Sequence, residues 1–474
     1  MRNFWSTIRG LVGSAAAAAL FSLVVVAGPA LPQQRAPRDP AEPRPGKSQV
    51  KNLPSPGGAI ARQSIDEKSM RALIHNLVSC GTRLTLSSWT DPKRGIGCGR
   101  DFVAARLNDI AKDSGGKLQI VVDKFESKSE RTGPNPVHLE NVYAILPGSD
   151  PALAKTVLIV VGDMDSRPSN VMDPEADAPG ADDDGSGTAV SVECARLLSK
   201  AAASGRAKFR ATLLFGVLSG EEQGLLGAYR LLEWTKEQGY TVGAMLDNDI
   251  VGADPAPGGP HRVRVFSGNG EIEDCDSPAR ELARAIEEID GPNAIRMIFR
   301  QDRYGRGGDH FPFYKAGLPA VRFTEPLENY NHQHQTPRTE NGIEYGDLEK
   351  YLNYTFMGNV ARDNAEVLRQ LGMAPAPPTS ARLRGAVTPD AKVSWDAQED
   401  TERAGFEVLW RETTDPRWHV YEVVTEPGEA VLKGVSTDNH FFAVRAVGKN
   451  GARSIAAPAE TERRAPPGPS KSSP

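Results

Sequence analysis

Three stretches of this chain, TVLIVVG from Thr156, ATLLFGVL from Ala211 and VGAMLDN from Val242, are apolar along almost their whole length. A strand that alternates can leave one face in water, but a strand apolar on both faces needs cover on both. These three therefore belong inside a sheet with helices on either side. VYAILPG from Val142, RVRVFSG from Arg262 and PAVRFTE from Pro319 extend the set. Helical periodicity fills the intervals between about residues 60 and 370. Ser64-Ile-Asp-Glu67 reads as a capping box opening a helix whose apolar positions include Leu73, Ile74, Leu77 and Val78.

Ligands of open α/β sheets sit beyond the carboxyl ends of the strands, and here those ends carry acids. Asp163 and Asp165 follow the first stretch, Glu221 and Glu222 the second, and Asp249 the third. A Gly-rich acidic turn, APGADDDGSGTAV, lies between the first two and leads into a helix. One such acid is ordinary surface. Five at the ends of three apolar strands would repel one another unless a cation neutralised them, so the pattern points to metal.

The motifs are specific enough to resemble a known family. VVGDMDS, PGADDDGSG, GVLSGEEQGLLGA, LDNDIVG, GDHFPF and the last His of NHQHQTPR occur in the order and spacing of the secreted di-zinc aminopeptidases, a family of co-catalytic zinc metallopeptidases. The likeness covers residues 156–341 and extends loosely over 60–370. It implies a three-layer α/β/α sandwich with a mixed, mostly parallel sheet, peptide substrates, and two zinc ions. Position by position, it implies that Asp183 bridges the ions, that Glu222 and His334 complete one site, and that Asp249 serves the other. Asp182 and Asp184 would flank the site or face solvent. Glu221 would be the general base and acid, since a two-metal hydrolase needs one carboxylate that does not coordinate. His332 competes with His334, and Thr336-Pro337 after His334 favours the latter. Asp309 and His310 would orient substrate or stand near the site, with a core role for the histidine equally open.

The chain departs from the family at Asp163. The family has a metal-binding His there, oriented by the acid two residues on, here Asp165, which is carried over among the catalytic groups. A site built from Asp163, Asp183 and Asp249 is all oxygen, and such sites suit Mn or another hard divalent ion better than zinc. Two zincs, one zinc with a second weaker ion, and an inactive site are the three outcomes left open.

Residues 1–30 read as a secretory signal, with Arg2 and Arg9 before an apolar run and small residues at Gly28 to Ala30. The expected location is secreted or periplasmic, with no stable membrane insertion after cleavage. Residues 31–58 are a Pro-rich linker, 59–372 the zinc peptidase domain, and 463–474 a disordered tail. Residues 379–462 alternate with period two, carry Trp395 early and FFAVRAVG late, and look like a fibronectin type III sandwich. That small all-β domain would contact a surface, a polysaccharide or a protein, or serve only as a stabilising appendage. With 56 basic against 61 acidic residues and no basic run after the N-terminus, no nucleic-acid partner is expected. Cys80 and Cys98 are either thiols or a bridge, which in an oxidising compartment would contribute about 3 kcal/mol. The expected activity is an aminopeptidase that uses metal-activated water. The alternatives are a carboxypeptidase-type relative, or an impaired peptidase fold used for binding at the cell surface.

Overall fold

The computed structural model describes residues 56–461 apart from Glu271, Glu273 and Asp274. The expected signal at 1–30, residues 31–55 of the expected linker and the tail at 463–474 lie outside the described residues.

Eight strands form one sheet: β1 (Gln119–Ser127), β2 (Val137–Leu146), β3 (Thr156–Asp163), β4 (Thr212–Leu218), β5 (Thr241–Asn248), β6 (Val263–Phe266), β7 (Ile295–Ile298) and β8 (Ala320–Thr324). Their order is β1-β2-β4-β3-β5-β8-β6-β7. The four central strands β4, β3, β5 and β8 run parallel, while β2 and β6 join them antiparallel. This is the mixed sheet expected, with the all-apolar strands at its centre. The register sets Asp163 beside Leu218, so the ends of β3 and β4 are level.

Both faces are covered. Helices α1 (Glu67–Ser79), α2 (Ile96–Asp113), α3 (Gly185–Ala203), α5 (Pro278–Asp290) and α7 (Tyr354–Met373) contribute to one core, which includes Leu77, Leu107, Leu198, Ile286 and Leu368. The other core takes Leu231 and Trp234 from α4 (Leu226–Glu237) and Phe313 from α6 (Phe311–Lys315).

Four details differ from the sequence expectation. Ser64 closes a short 3-10 turn instead of capping α1; the cap is Asp66, whose carboxylate accepts from Ser69 N at 3.0 Å. β1 alternates between exposed and half-buried residues because it is an edge strand with one neighbour, so it lacks the all-apolar mark. β7 is four residues long at the other edge. A small hairpin, β9 (Arg338–Glu340) with β10 (Ile343–Tyr345), stands apart from the sheet and its residues are largely exposed. Cys80 and Cys98 are bonded, with Cα atoms 5.9 Å apart.

After α7 the chain forms eight short strands: β11 (Ser380–Arg384), β12 (Ala391–Asp396), β13 (Arg403–Glu412), β14 (His419–Val424), β15 (Gly428–Leu432), β16 (His440–Gly448), β17 (Ala457–Pro458) and β18 (Glu460–Thr461). They make two four-stranded sheets, β15-β12-β11-β18 and β14-β13-β16-β17, around Trp395, Phe406, Tyr421 and Phe442. This sandwich is joined to α5 by ion pairs. Arg417 meets Glu287 at 2.9 Å, Arg445 meets Glu288 at 2.5 Å, and Trp418 Nε1 donates to Glu281 at 2.7 Å. No helix among the described residues is long and apolar enough to cross a membrane.

Candidate metal centre

Asp163 ends β3, Glu221 and Glu222 follow β4, and Asp249 follows β5, so the sheet delivers the acids to one edge. The PGADDDGSG turn reaches the same edge because α3 starts against β3. A Cβ on Gly162 would stand 2.2 Å from the Gly187 carbonyl carbon, and one on Gly187 would stand 1.9 Å from the Asn248 oxygen. Only glycine permits that approach. Asp184 caps α3 by accepting from Gly187 N at 2.9 Å, and also accepts from Asp163 N at 3.0 Å. The Asp183–Asp184 peptide is cis.

Asp183, Glu222 and His334 form a group of three whose ligand atoms all lie within 4.8 Å of one another. His334 Nε2 stands 2.9 Å from Asp183 Oδ2 and 2.9 Å from Glu222 Oε1. Its φ of 54° is left-handed, a conformation that costs a non-glycine residue about 1–2 kcal/mol and marks positions held for a purpose. Burial lowers the affinity of this imidazole for a proton, but Glu222 and Asp183 outweigh it and push its pKa up to about 10. Burial alone would raise Asp183, yet His334 beside it holds that carboxyl well below the usual range. The two carboxylates thus demand positive charge between them. One nitrogen and two carboxylate oxygens are a donor set that suits zinc. His332 is elsewhere, stacked on Tyr351 with ring centroids 3.6 Å apart.

The remaining expected residues divide. Glu221 faces the same cavity, and burial together with Glu222 and Asp249 raises its carboxyl well above the ordinary value. Asp249 Oδ1 is buried without a hydrogen-bond partner, while Oδ2 is 2.7 Å from Arg322 Nη1. Burial raises Asp249 to about 7 against the pull of Arg322. Asp163 lies outside the three-residue group; it is buried, and burial with the charges of Asp184, Asp165 and Asp249 raises its carboxyl strongly. The expected all-oxygen site at Asp163, Asp183 and Asp249 therefore has one member already paired with a guanidinium.

Asp165, expected among the catalytic groups, lies behind the Glu221–Glu222 turn. It is fully buried, and both its oxygens are engaged: Oδ1 accepts from Glu221 N at 3.2 Å, Oδ2 from Glu222 N at 3.1 Å and from Thr85 Oγ1 at 3.1 Å. It positions the Glu-Glu turn. Of the two flanking acids, Asp182 is half-buried and accepts from Gly252 N at 2.7 Å, and Asp184 is buried as the helix cap described above. His310 is a buried histidine held by Asp247 at 3.0 Å and by the Gln301 carbonyl at 2.9 Å. Asp309 is buried with neither carboxylate oxygen hydrogen-bonded, and burial with Asp247 and Asp165 raises it strongly.

Three residues of the centre were not singled out by the sequence reading. Arg322 sits in β8, where an arginine inside an apolar strand is itself a signal, because such a charge needs a buried partner. Gly308 makes room for it, since a Cβ there would lie 2.5 Å from Arg322 Nη1. Asp347 accepts from Asp182 N at 2.9 Å and Asp183 N at 2.8 Å, which fixes the acidic turn. Arg83, fully buried, donates to the carbonyls of Met164, Pro179 and Gly180 and ties that turn to the DMDSR segment. Nothing in the local sequence marks the last two.

The model of peptidase family M28 matches residues 141–356, which include strands β3 to β8 and Asp163, Asp183, Glu221, Glu222, Asp249 and His334. A probable zinc metalloprotease of Leptosphaeria maculans is 39% identical over 83% of this chain and 94% of its own length. A probable zinc metalloprotease of Pyricularia oryzae is 37% identical over 85% of this chain and 84% of its own. Among solved structures, LapB from Legionella pneumophila has the same fold at a TM-score of 0.50 and 17% identity, covering 69% of this chain and 79% of that one. With the likeness running through nearly the full length of such relatives, the chain belongs to peptidase family M28.

Proposed function

We propose that the protein is a zinc-dependent exopeptidase that removes N-terminal residues from peptides. The observation that carries the reading is the imidazole of His334 set 2.9 Å from two carboxylates, with Glu221 in the same cavity. Asp183, Glu222 and His334 would hold the ion, which when bound supplies the Lewis acidity that polarises a scissile carbonyl and makes water acidic near neutral pH. Glu221 does not coordinate. Its raised proton affinity suits a group that takes a proton from the attacking water and passes it to the leaving amine. Asp165 holds the backbone of Glu221 and Glu222, so base and ligand stay in register.

The family resemblance implies a second ion at Asp163, Asp183 and Asp249. The pairing of Asp249 with Arg322 favours a single ion, with the guanidinium supplying the second positive charge. Elemental analysis separates the two: one zinc per chain, rising on Arg322→Met, supports the guanidinium reading, and two zincs in the natural protein overturn it. The activity is tested by release of chromophore from aminoacyl anilides, abolished by a chelator and by Glu221→Ala. A lack of turnover at any metal supplement would sink the exopeptidase reading and leave a binding role.

The apolar run within residues 1–30 supports a secreted or periplasmic location, and the Cys80–Cys98 bond is of the kind that persists in oxidising compartments. The two-sheet arrangement of β11 to β18 supports a fibronectin type III-like module. Its ion-paired attachment to α5 favours a stabilising appendage over a free spacer.

A further inference from the structure

The cavity that holds the metal centre encloses about 590 Å³, a size suited to a small ligand. Its lining is unusual for a substrate pocket, because Leu225 is the one large apolar side chain in it. An apolar side chain of a substrate would find little there besides Leu225. What lines the walls is arginine: Arg131, Arg167, Arg303 and Arg306, besides Arg322.

Pair by pair, the charges do not cancel. Arg322 is committed to Asp249. Arg303 and Arg306, from the loop between β7 and α6, share Glu328 at 2.7 and 2.9 Å, and Arg264 takes its other oxygen at 2.7 Å. Three guanidiniums thus surround one carboxylate. Asp302 meets Arg303 Nε at 3.0 Å and offsets one of them, which leaves a surplus positive charge in the wall. Arg303, only 9% exposed, keeps Nη2 buried without a hydrogen-bond partner. On the Glu222 side, Arg131 Nη1 donates to the Glu222 carbonyl at 3.0 Å, and Arg167 Nη1 is 3.4 Å from Glu222 Oε2 with its Nε buried and unpartnered.

The floor does not need this charge. A divalent ion would balance Asp183 and Glu222 with His334 neutral, and Arg322 balances Asp249; of the other acids lining the cavity Glu221 is left to carry protons and Glu130 is exposed to water, while Asp163 and Asp309 lie buried behind the lining. The wall is therefore matched to an anion that enters from outside. Guanidinium forks bind planar carboxylates by paired hydrogen bonds.

We propose that Arg303 and Arg306, with Arg131 and Arg167 opposite, form a subsite for a substrate carboxylate, so that the enzyme favours peptides that present one there. The inference rests on the exopeptidase reading. The carboxylate has two sources, an acidic side chain at the cleaved residue or the free C-terminus of a short peptide, and the subsite would recognise either.

The test compares isosteric pairs. Zinc-loaded full-length protein is given peptides beginning with Glu or Gln, and short peptides with a free or an amidated C-terminus. Calorimetric binding of the same peptides to Glu221→Gln protein reads the subsite without turnover. About a tenfold or greater preference for the carboxylate member of one pair is expected from a charge-assisted contact. The pair that shows it identifies the source. Arg306→Met, at a partly exposed position, should bring that ratio near one, and Arg306→Lys should restore part of it. Arg303→Met should do the same if it folds. Equal binding of carboxylate and amide in both pairs overturns the subsite, even where peptides are hydrolysed. Discrimination in binding with no hydrolysis of any peptide would retain the subsite and overturn the exopeptidase reading.

Discussion

Two regions of this molecule are dense in charge, and they are built on opposite rules. At the joint between α5 and the β-sandwich buried carboxylates face guanidiniums: Asp276 meets Arg280, Arg284 and Arg411, Glu281 meets Arg284, and Glu287 meets Arg417. At the carboxyl edge of the sheet, acids outnumber their partners. Asp309 has neither oxygen hydrogen-bonded, Asp249 has one bare, and Asp163 is raised by burial and by four neighbouring carboxylates. Matched charge holds parts together, whereas unmatched buried charge is maintained at a cost and belongs where an ion and a substrate arrive. The first region should govern stability and the second activity.

The largest effect should come from Glu221→Gln. A general base contributes about 10²- to 10⁴-fold, so kcat on aminoacyl anilides should fall by about that much. The thermal midpoint should hold or rise, because the variant removes a buried carboxyl that the fold disfavours in its charged form. A loss of stability alongside activity would mean that Glu221 is a structural residue, and the contrast between the two regions would fail.

Asp276→Ala is the converse. Arg284 and Arg411 are 5% and 3% exposed, and the change leaves them buried without their shared partner. Breaking a buried pair from one side costs about 3–5 kcal/mol, which denaturant unfolding reads directly. Turnover below the transition should be unaffected. If activity fell while stability held, the joint would be coupled to the site.

The joint also holds one carboxyl that titrates in the working range. Burial raises Glu281 to about 7 against Arg284 and the Trp418 donor. Its folded pKa lies above the unfolded one, so the native state binds the proton more tightly. Stability should therefore decline as pH rises from about 4.5 to about 7 and then level, by up to about 3 kcal/mol for a shift of this size. Glu281→Gln keeps an acceptor for Trp418 and should flatten that slope. An unchanged slope would place the titration elsewhere.

How far these regions could be read from the sequence follows from their physics. The central strands announced themselves because cover on both faces demands continuous apolar residues, and their terminal acids came with them. β1 and β7 did not, since edge strands need less cover. The ligand set was legible through its motifs, but which acids would be paired was not. Arg322 neutralises Asp249 from a different strand, and Asp347 and Arg83 act through backbone atoms, a contact that leaves no trace in residue type. The same holds for Glu328, whose three arginines are 22, 25 and 64 residues away.

Asp165 supplies the smallest and sharpest test. Two aspartates two apart at the end of β3 invite the reading that both serve the metal, yet only the neighbourhood distinguishes them. Asp165 accepts two backbone amides, those of the base and of the ligand, so it belongs to the matched rule although it sits in the unmatched region. Asp165→Asn keeps one acceptor oxygen and the shape, but sets an amide group against one of those N–H donors. Groups that orient a metal ligand typically contribute about 10- to 100-fold in affinity or activity. Zinc affinity by chelator competition and kcat should fall together within that range, because one turn carries both Glu221 and Glu222. A fall in kcat with zinc affinity intact would mean that Asp165 acts on the base alone. A loss of kcat as deep as that of Glu221→Gln would place it among the catalytic groups.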